Sequence, residues 1–179
     1  MANFSQIIAQ WETFYLLAGT AAATLIGLLF VAISINIESF RGKAYGDLQL
    51  FATLTFNCFF YVLFIALIFL IPGLSALGLG IPLFLLGTLG LANAVVQQRR
   101  ARRVQRQRGG ADIASRFSVP MLGLLILAII GILIMVRLAA SLYAVIVPVV
   151  LLLGSAAVNA WVLLGWTEEQ ETAVTSRDD

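Results

Sequence analysis

Long apolar runs separated by short polar stretches organise the chain. Residues 13–35 (TFYLLAGTAAATLIGLLFVAISI) form the first run, and residues 48–96 and 118–166 form two further blocks. A membrane-spanning helix needs about 20 mostly apolar residues, so each block is long enough for two. The 48–96 block is broken by Ile71-Pro72-Gly73, and adjacent Pro and Gly mark a tight turn. It therefore predicts a helical hairpin, 48–70 and 74–96. The second block is weakest from Arg137 to Ser141, which divides it into spans 118–138 and 141–164. The pattern predicts an all-α integral membrane protein with five transmembrane helices, two helical hairpins following the first span. Residues 1–167 form one transmembrane domain, with a basic loop at 97–117 and an acidic tail at 168–179.

Composition narrows the class further. Of the 179 residues, 61% are apolar and 11% are charged. An average soluble domain is about 45–50% apolar and about 25% charged. A soluble globular domain is excluded, and so is a disordered chain, which needs low hydrophobicity and high charge.

The absent residue types restrict chemistry. The chain has no His and a single Cys, Cys58, which removes imidazole bases, His metal ligands and CxxC pairs. The one Lys, Lys43, lies in a loop, and all nine carboxylates fall outside the apolar runs. No buried carboxylate is available as a proton relay or cation site. These absences argue against an enzyme, a metal site and a bound cofactor.

Charge predicts orientation. The 97–117 loop holds seven Arg against Asp112 alone, the first loop holds Arg41 and Lys43, and the tail holds Arg177. With five spans these segments share one side, and only Arg137 faces the other. Positive residues stay cytoplasmic, so the N-terminus is expected outside and the C-terminus inside. Trp11, Tyr15 and Tyr143 then fall at the outer interface, and Trp161 and Trp166 near the inner one. Met1 to Trp11 carries no Lys or Arg, unlike a cleavable signal peptide. Asn3 with Gln6 has the spacing of a helix-start box, and Ile7, Trp11 and Phe14 share a face.

Small residues predict where helices meet. Lipid gives helices little hydrophobic drive to associate, so close contact matters. Gly19, Ala23 and Gly27 form a stripe in the first span. Gly80, Gly87 and Gly90 lie in the third, and Gly154, Ser155, Ala156, Ala157 and Ala160 in the fifth. These faces suit packing within the chain or, alternatively, dimerisation. Pro82 to Asn93 and Pro148 to Asn159 repeat one spacing. As a true repeat, this echo implies two units related by an axis along the membrane normal. Each Pro frees the carbonyl four residues earlier, so kinks are expected at Gly78 and Ala144.

Polar residues inside the spans supply the candidate sites. Gln49, Thr53, Asn57 and Tyr61 recur every four residues; Asn57, Asn93 and Asn159 all lie in the predicted cytoplasmic half, with Ser155 one turn from Asn159. Two readings stand: these side chains tie helices together, or they line a polar vestibule, a pore or small-molecule path. Arg137 near the outer end of its span can snorkel to the headgroups; in an oligomer it could instead form an anion-selecting ring.

Gln97 to Arg108 contains no Pro or Gly, and Gly109-Gly110 follows, so the third helix is expected to continue to about Arg108. Arg99, Arg102, Arg103 and Arg106 then share one face, suited to anionic lipid; they could equally be a topology determinant alone. No aromatic residues interleave the run, which argues against nucleic acid. The tail after Trp166 holds five acids and one Arg, and it either competes for the Arg face or is a solvated disordered tail.

The stretch Phe14 to Glu38, FYLLAGTAAATLIGLLFVAISINIE, resembles the first helix of a group of small bacterial membrane proteins, some labelled modulator of FtsH protease. The resemblance implies a bacterial inner-membrane location and a regulatory role. Two functions emerge: a non-catalytic interaction or regulatory subunit, partnered by lipid or another membrane protein, or a homo-oligomeric channel or small transporter. An alkaline-phosphatase fusion at the C-terminus is expected to be inactive; an active fusion would overturn the orientation.

Overall fold

The computed structural model describes residues 4–35, 45–108, 117–138 and 140–175. The described residues form six helices: α1 (Phe4–Ile35), α2 (Tyr45–Leu70), α3 (Ala76–Arg108), α4 (Ser118–Met135), α5 (Ala140–Ala144) and α6 (Ile146–Thr175). Among the described residues, five stretches are long and apolar enough to cross a membrane: Trp11–Ile35, Ala52–Leu70, Ala76–Arg102, Ser118–Met135 and Ala140–Trp161. The described residues are all-α, with the helix lengths and apolarity of a multi-pass membrane protein.

The boundaries follow from local chemistry. α2 stops at Leu70, and Gly73 takes a positive φ of 73° in the turn that follows, a conformation glycine adopts without steric cost. Ser75 caps α3: its Oγ accepts from the Gly78 amide at 3.1 Å, satisfying one of the donors a helix start leaves open. α4 ends in a Schellman motif. The Arg137 amide donates to the Ile134 carbonyl, and the Leu138 amide donates to the Leu133 carbonyl, the pair of bonds that defines this cap. Arg137 occupies the left-handed position, at φ 62°, where glycine is the usual choice. Ser141 then closes the next turn with its Oγ donating to the Leu138 carbonyl at 2.6 Å.

The two prolines behave differently. Pro148 has no amide to offer the Ala144 carbonyl, and the helix breaks there, between α5 and α6. Pro82 lies inside α3, which continues through it without interruption. The carbonyl that Pro82 frees, at Gly78, falls in the first turn of α3, where the helix is only starting. α3 continues to Arg108 as its composition predicts. α6 likewise runs on to Thr175, so Glu168 to Thr175 is helical, and residues 176–179 of the acidic tail lie outside the described residues. Asn3 of the helix-start pair lies outside the described residues, as do residues 109–116 of the basic loop.

Close packing is concentrated on α3 and α4, the most extensively paired helices. A Cβ built at Gly87 would lie 2.6 Å from the Ala128 amide nitrogen, and one at Gly131 would lie 2.6 Å from the Phe84 nitrogen. Gly80 would meet Met135 Cγ at 2.7 Å and Gly90 would meet Leu124 at 2.8 Å. The contacts advance along α3 as they retreat along α4, so the helices are antiparallel with backbones touching. α1 packs on α2 in the same sense, with Tyr15 stacked on Phe69 at 4.0 Å and Phe30 against Phe56. Gly19 approaches Ala66. α2 also packs along α6, and α4 along α6, whereas α2 and α3 touch sparsely.

Of the small-residue stripes, only part is used inside the chain. Gly80, Gly87 and Gly90 are buried as predicted, joined by Gly123 and Gly131. In α1 the buried alanines are Ala18 and Ala22; Ala23 and Gly27 face outward, and nothing lies within 4 Å of a Cβ at Gly27. In α6 Ala156 is buried while Gly154 and Ala157 are exposed. Tyr15, expected in the interfacial belt, is enclosed in the bundle. Trp11 instead meets Tyr143 edge to face at 5.6 Å, joining α1 to α5.

These contacts separate two kinds of glycine. Gly87→Leu is expected to lower the unfolding free energy in mixed micelles by about 1–3 kcal/mol, the usual cost of overpacking. Gly27→Leu should change it by no more than about 0.5 kcal/mol, as at an open surface position. Equal losses would overturn the assignment of α3–α4 as the tight contact.

Candidate functional site

The sparse α2–α3 contact has a consequence for shape. α3 is drawn onto α4 by its glycines, and α2 is held by α1 and α6, so a cleft opens between α2 and α3. Its volume is about 550 Å³. Tyr61, Phe64 and Ile68 line it from α2, and Pro82, Leu85, Leu86, Leu89, Gly90 and Asn93 from α3. Phe64, Leu85 and Leu89 on its rim are exposed. The absence of a side chain at Gly90 lets the Tyr61 ring lie close, with a Cβ there 3.1 Å from Tyr61 Cζ.

One end of the cleft is polar. Asn93 Nδ2 donates to the Tyr61 hydroxyl at 3.4 Å, and Gln97 Nε2 donates to Asn93 Oδ1 at 3.2 Å. The first bond is long, and both sit at the end from which α3 continues into its basic segment. Gln97 Oε1 is buried without a hydrogen-bond partner. The remaining walls are aliphatic and aromatic, so the cleft has one hydrogen-bonding end and an apolar length.

The six residues predicted to form a polar vestibule occupy different environments. Gln49, Thr53 and Asn93 are exposed, Asn57 and Ser155 are half-buried, and Asn159 is buried. The Thr53 hydroxyl donates to the Gln49 carbonyl of its own helix at 2.7 Å, a local bond that satisfies it without a partner helix. Thr20, Thr24, Ser34 and Thr88 do the same. Of the six, Asn93 alone lines the α2–α3 cleft, and it meets Tyr61, the last member of the polar stripe. Asn159, only 2% exposed, has its Nδ2 without a partner. Pro82 is half-buried at the cleft and Pro148 is buried in the bundle, so the echoed residues do not share surroundings.

Arg99, Arg100 and Arg102 are exposed on the helical extension of α3. Arg103 and Arg106 occupy helical positions, with side chains outside the described residues. Arg137 is exposed in its turn. Cys58 is buried, and among the described residues no three His, Cys, Asp or Glu side chains gather where a metal could be held. Sequence spacing missed the Tyr61–Asn93 pairing, since residues 32 apart carry no periodic signal. Comparison with protein-family models, curated proteins and solved structures finds no match.

The two amides make opposite predictions. In a double-mutant cycle, Tyr61→Phe and Asn93→Ala are expected to couple by about 0.6 kcal/mol, the average for an interhelical bond in lipid. Asn159→Leu, which removes a buried donor lacking a partner, should raise stability by roughly 1 kcal/mol. A loss at Asn159 would show that its amide is satisfied in the membrane.

Proposed function

We propose that the chain is a non-catalytic membrane protein acting as an interaction or regulatory subunit, with the N-terminus outside and the C-terminus inside. The observation that carries this reading is the unbroken course of α3. Its membrane half is locked against α4 through backbone contact, and the same helix continues to Arg108. A displacement of the α3–α4 pair is therefore transmitted to the basic segment, and a partner bound at that segment pulls on the pair. The concentration of arginine on one side supports the orientation. The likeness of Phe14 to Glu38 to small bacterial membrane proteins supports an inner-membrane location and a regulatory role. Anionic lipid and another membrane protein are the partners that a basic helix and exposed spans fit.

A second reading, a homo-oligomeric channel or small transporter, is favoured by one observation. Thr20, Ala23, Thr24 and Gly27 all face outward on α1, and small residues let a helix of another copy approach closely. A conducting path would then run between copies.

Native mass spectrometry of the full chain in lipid nanodiscs discriminates the two. The regulatory reading expects a monomer, or a species that gains mass only when a second protein is present. A closed ring of three or more copies would overturn it in favour of the channel.

A further inference from the structure

The cleft and the basic segment belong to one helical stripe. Pro82, Leu86, Leu89 and Asn93 line the cleft at spacings of four, three and four residues. Gln97 and Arg100 continue the same spacing, at four and three. Residues so spaced stack on one face of a helix. Arg100 therefore follows the cleft beyond its polar end, whereas Arg102, two residues on, points to the opposite side. The Arg99, Arg102, Arg103 and Arg106 face read from the sequence leaves Arg100 out.

We propose that the α2–α3 cleft seats one acyl chain of an anionic phospholipid whose phosphate is held by Arg100. The dimensions fit: Pro82 to Asn93 covers about 16 Å of helix, close to half of a hydrocarbon core about 30 Å thick. The cleft is thus one leaflet deep. Its polar end stands at the glycerol level, and Arg100, about 10 Å further along the helix, reaches the headgroups. The volume of about 550 Å³ lies within the range of about 300–1,000 Å³ typical of small-molecule sites. The exposed rim at Phe64, Leu85 and Leu89 opens the cleft to the bilayer, so a chain enters from the side. Gln97, whose Nε2 donates to Asn93 Oδ1, stands on α3 between the polar end of the cleft and Arg100. The inference rests on the reading that the basic segment meets anionic lipid, and it adds the place, the stoichiometry and the residue.

The test is native mass spectrometry of the full chain in detergent micelles, titrated with dioleoyl phosphatidylglycerol or dioleoyl phosphatidylcholine. The wild type is expected to retain one phosphatidylglycerol in preference to phosphatidylcholine. R100Q should weaken phosphatidylglycerol retention about fivefold, the effect of one basic residue near a surface, and phosphatidylcholine, whose phosphate is partly neutralised by its own choline, by less. R102Q, also exposed but on the opposite face, should change phosphatidylglycerol retention by less than about twofold. L89W, which fills the open cleft from an exposed position, should weaken both lipids. Equal losses in R100Q and R102Q would overturn the cleft while leaving the anionic-lipid reading intact. Unchanged binding by L89W would overturn the acyl seat. Displacement of the lipid by excess glycerol 3-phosphate would replace it with a headgroup site alone. A wild type with no preference between the lipids would overturn both readings.

Discussion

The backbone contact between α3 and α4 is the constraint from which the rest of the arrangement follows. In water a helix pair is driven together by burial of apolar surface, but lipid tails are as apolar as leucine and offer no such gain. What remains is dispersion at short range, of which a gap of about 0.5–1 Å already forfeits roughly a quarter to a half. Gly80, Gly87 and Gly131 remove the side chains that would impose that gap. With α3 committed to α4 and α2 committed to α1 and α6, the α2–α3 seam is left underpacked. The cleft is thus the complement of the tight contact, produced by the same glycines.

Polar groups obey a parallel constraint. A hydroxyl in hydrocarbon must find an acceptor, and the nearest is the carbonyl one turn back on its own helix. The outward-facing threonines of α1 and α2 take that solution. An amide has two donors and two acceptor lone pairs and cannot be satisfied so locally, so the asparagines behave differently. Asn93 reaches across to Tyr61 and along to Gln97. A polar residue in a span therefore does not by itself mark a water path; hydroxyls hide in their helix, and amides are the informative ones.

Much of the architecture was legible because turns and caps are local. Ile71-Pro72-Gly73 breaks the first block where the sequence says it must. Arg137 to Ser141 breaks the second, and Pro148 separates α5 from α6. The extension of α3 to Arg108 follows from a stretch with neither Pro nor Gly. Which face of each helix turns inward was not legible. In a soluble helix the polar face identifies the outside; here both faces are apolar, so Gly27 and Gly87 look alike in the sequence and differ entirely in surroundings. The site was hidden for the same reason, since Tyr61 and Asn93 meet only through the packing of helices distant in the chain.

The echo between Pro82–Asn93 and Pro148–Asn159 shows how similar motifs diverge under packing. A two-fold relation that carries α2 to α4 and α3 to α6 would exchange the α3–α4 contact with the α6–α2 contact, and both pairings are extensive. The residues themselves are not equivalent. Gly80, Gly87 and Gly90 fix the first motif to α4, leaving Pro82 and Asn93 on the cleft. The second motif has Ala156 and Asn159 turned into the bundle and Gly154 turned out. The difference decides what each asparagine can do. Asn159, buried with its Nδ2 unpartnered, is enclosed among the packed helices. Asn93, at the mouth of an open cleft and in line with Arg100, is placed to meet a molecule that the protein does not itself supply.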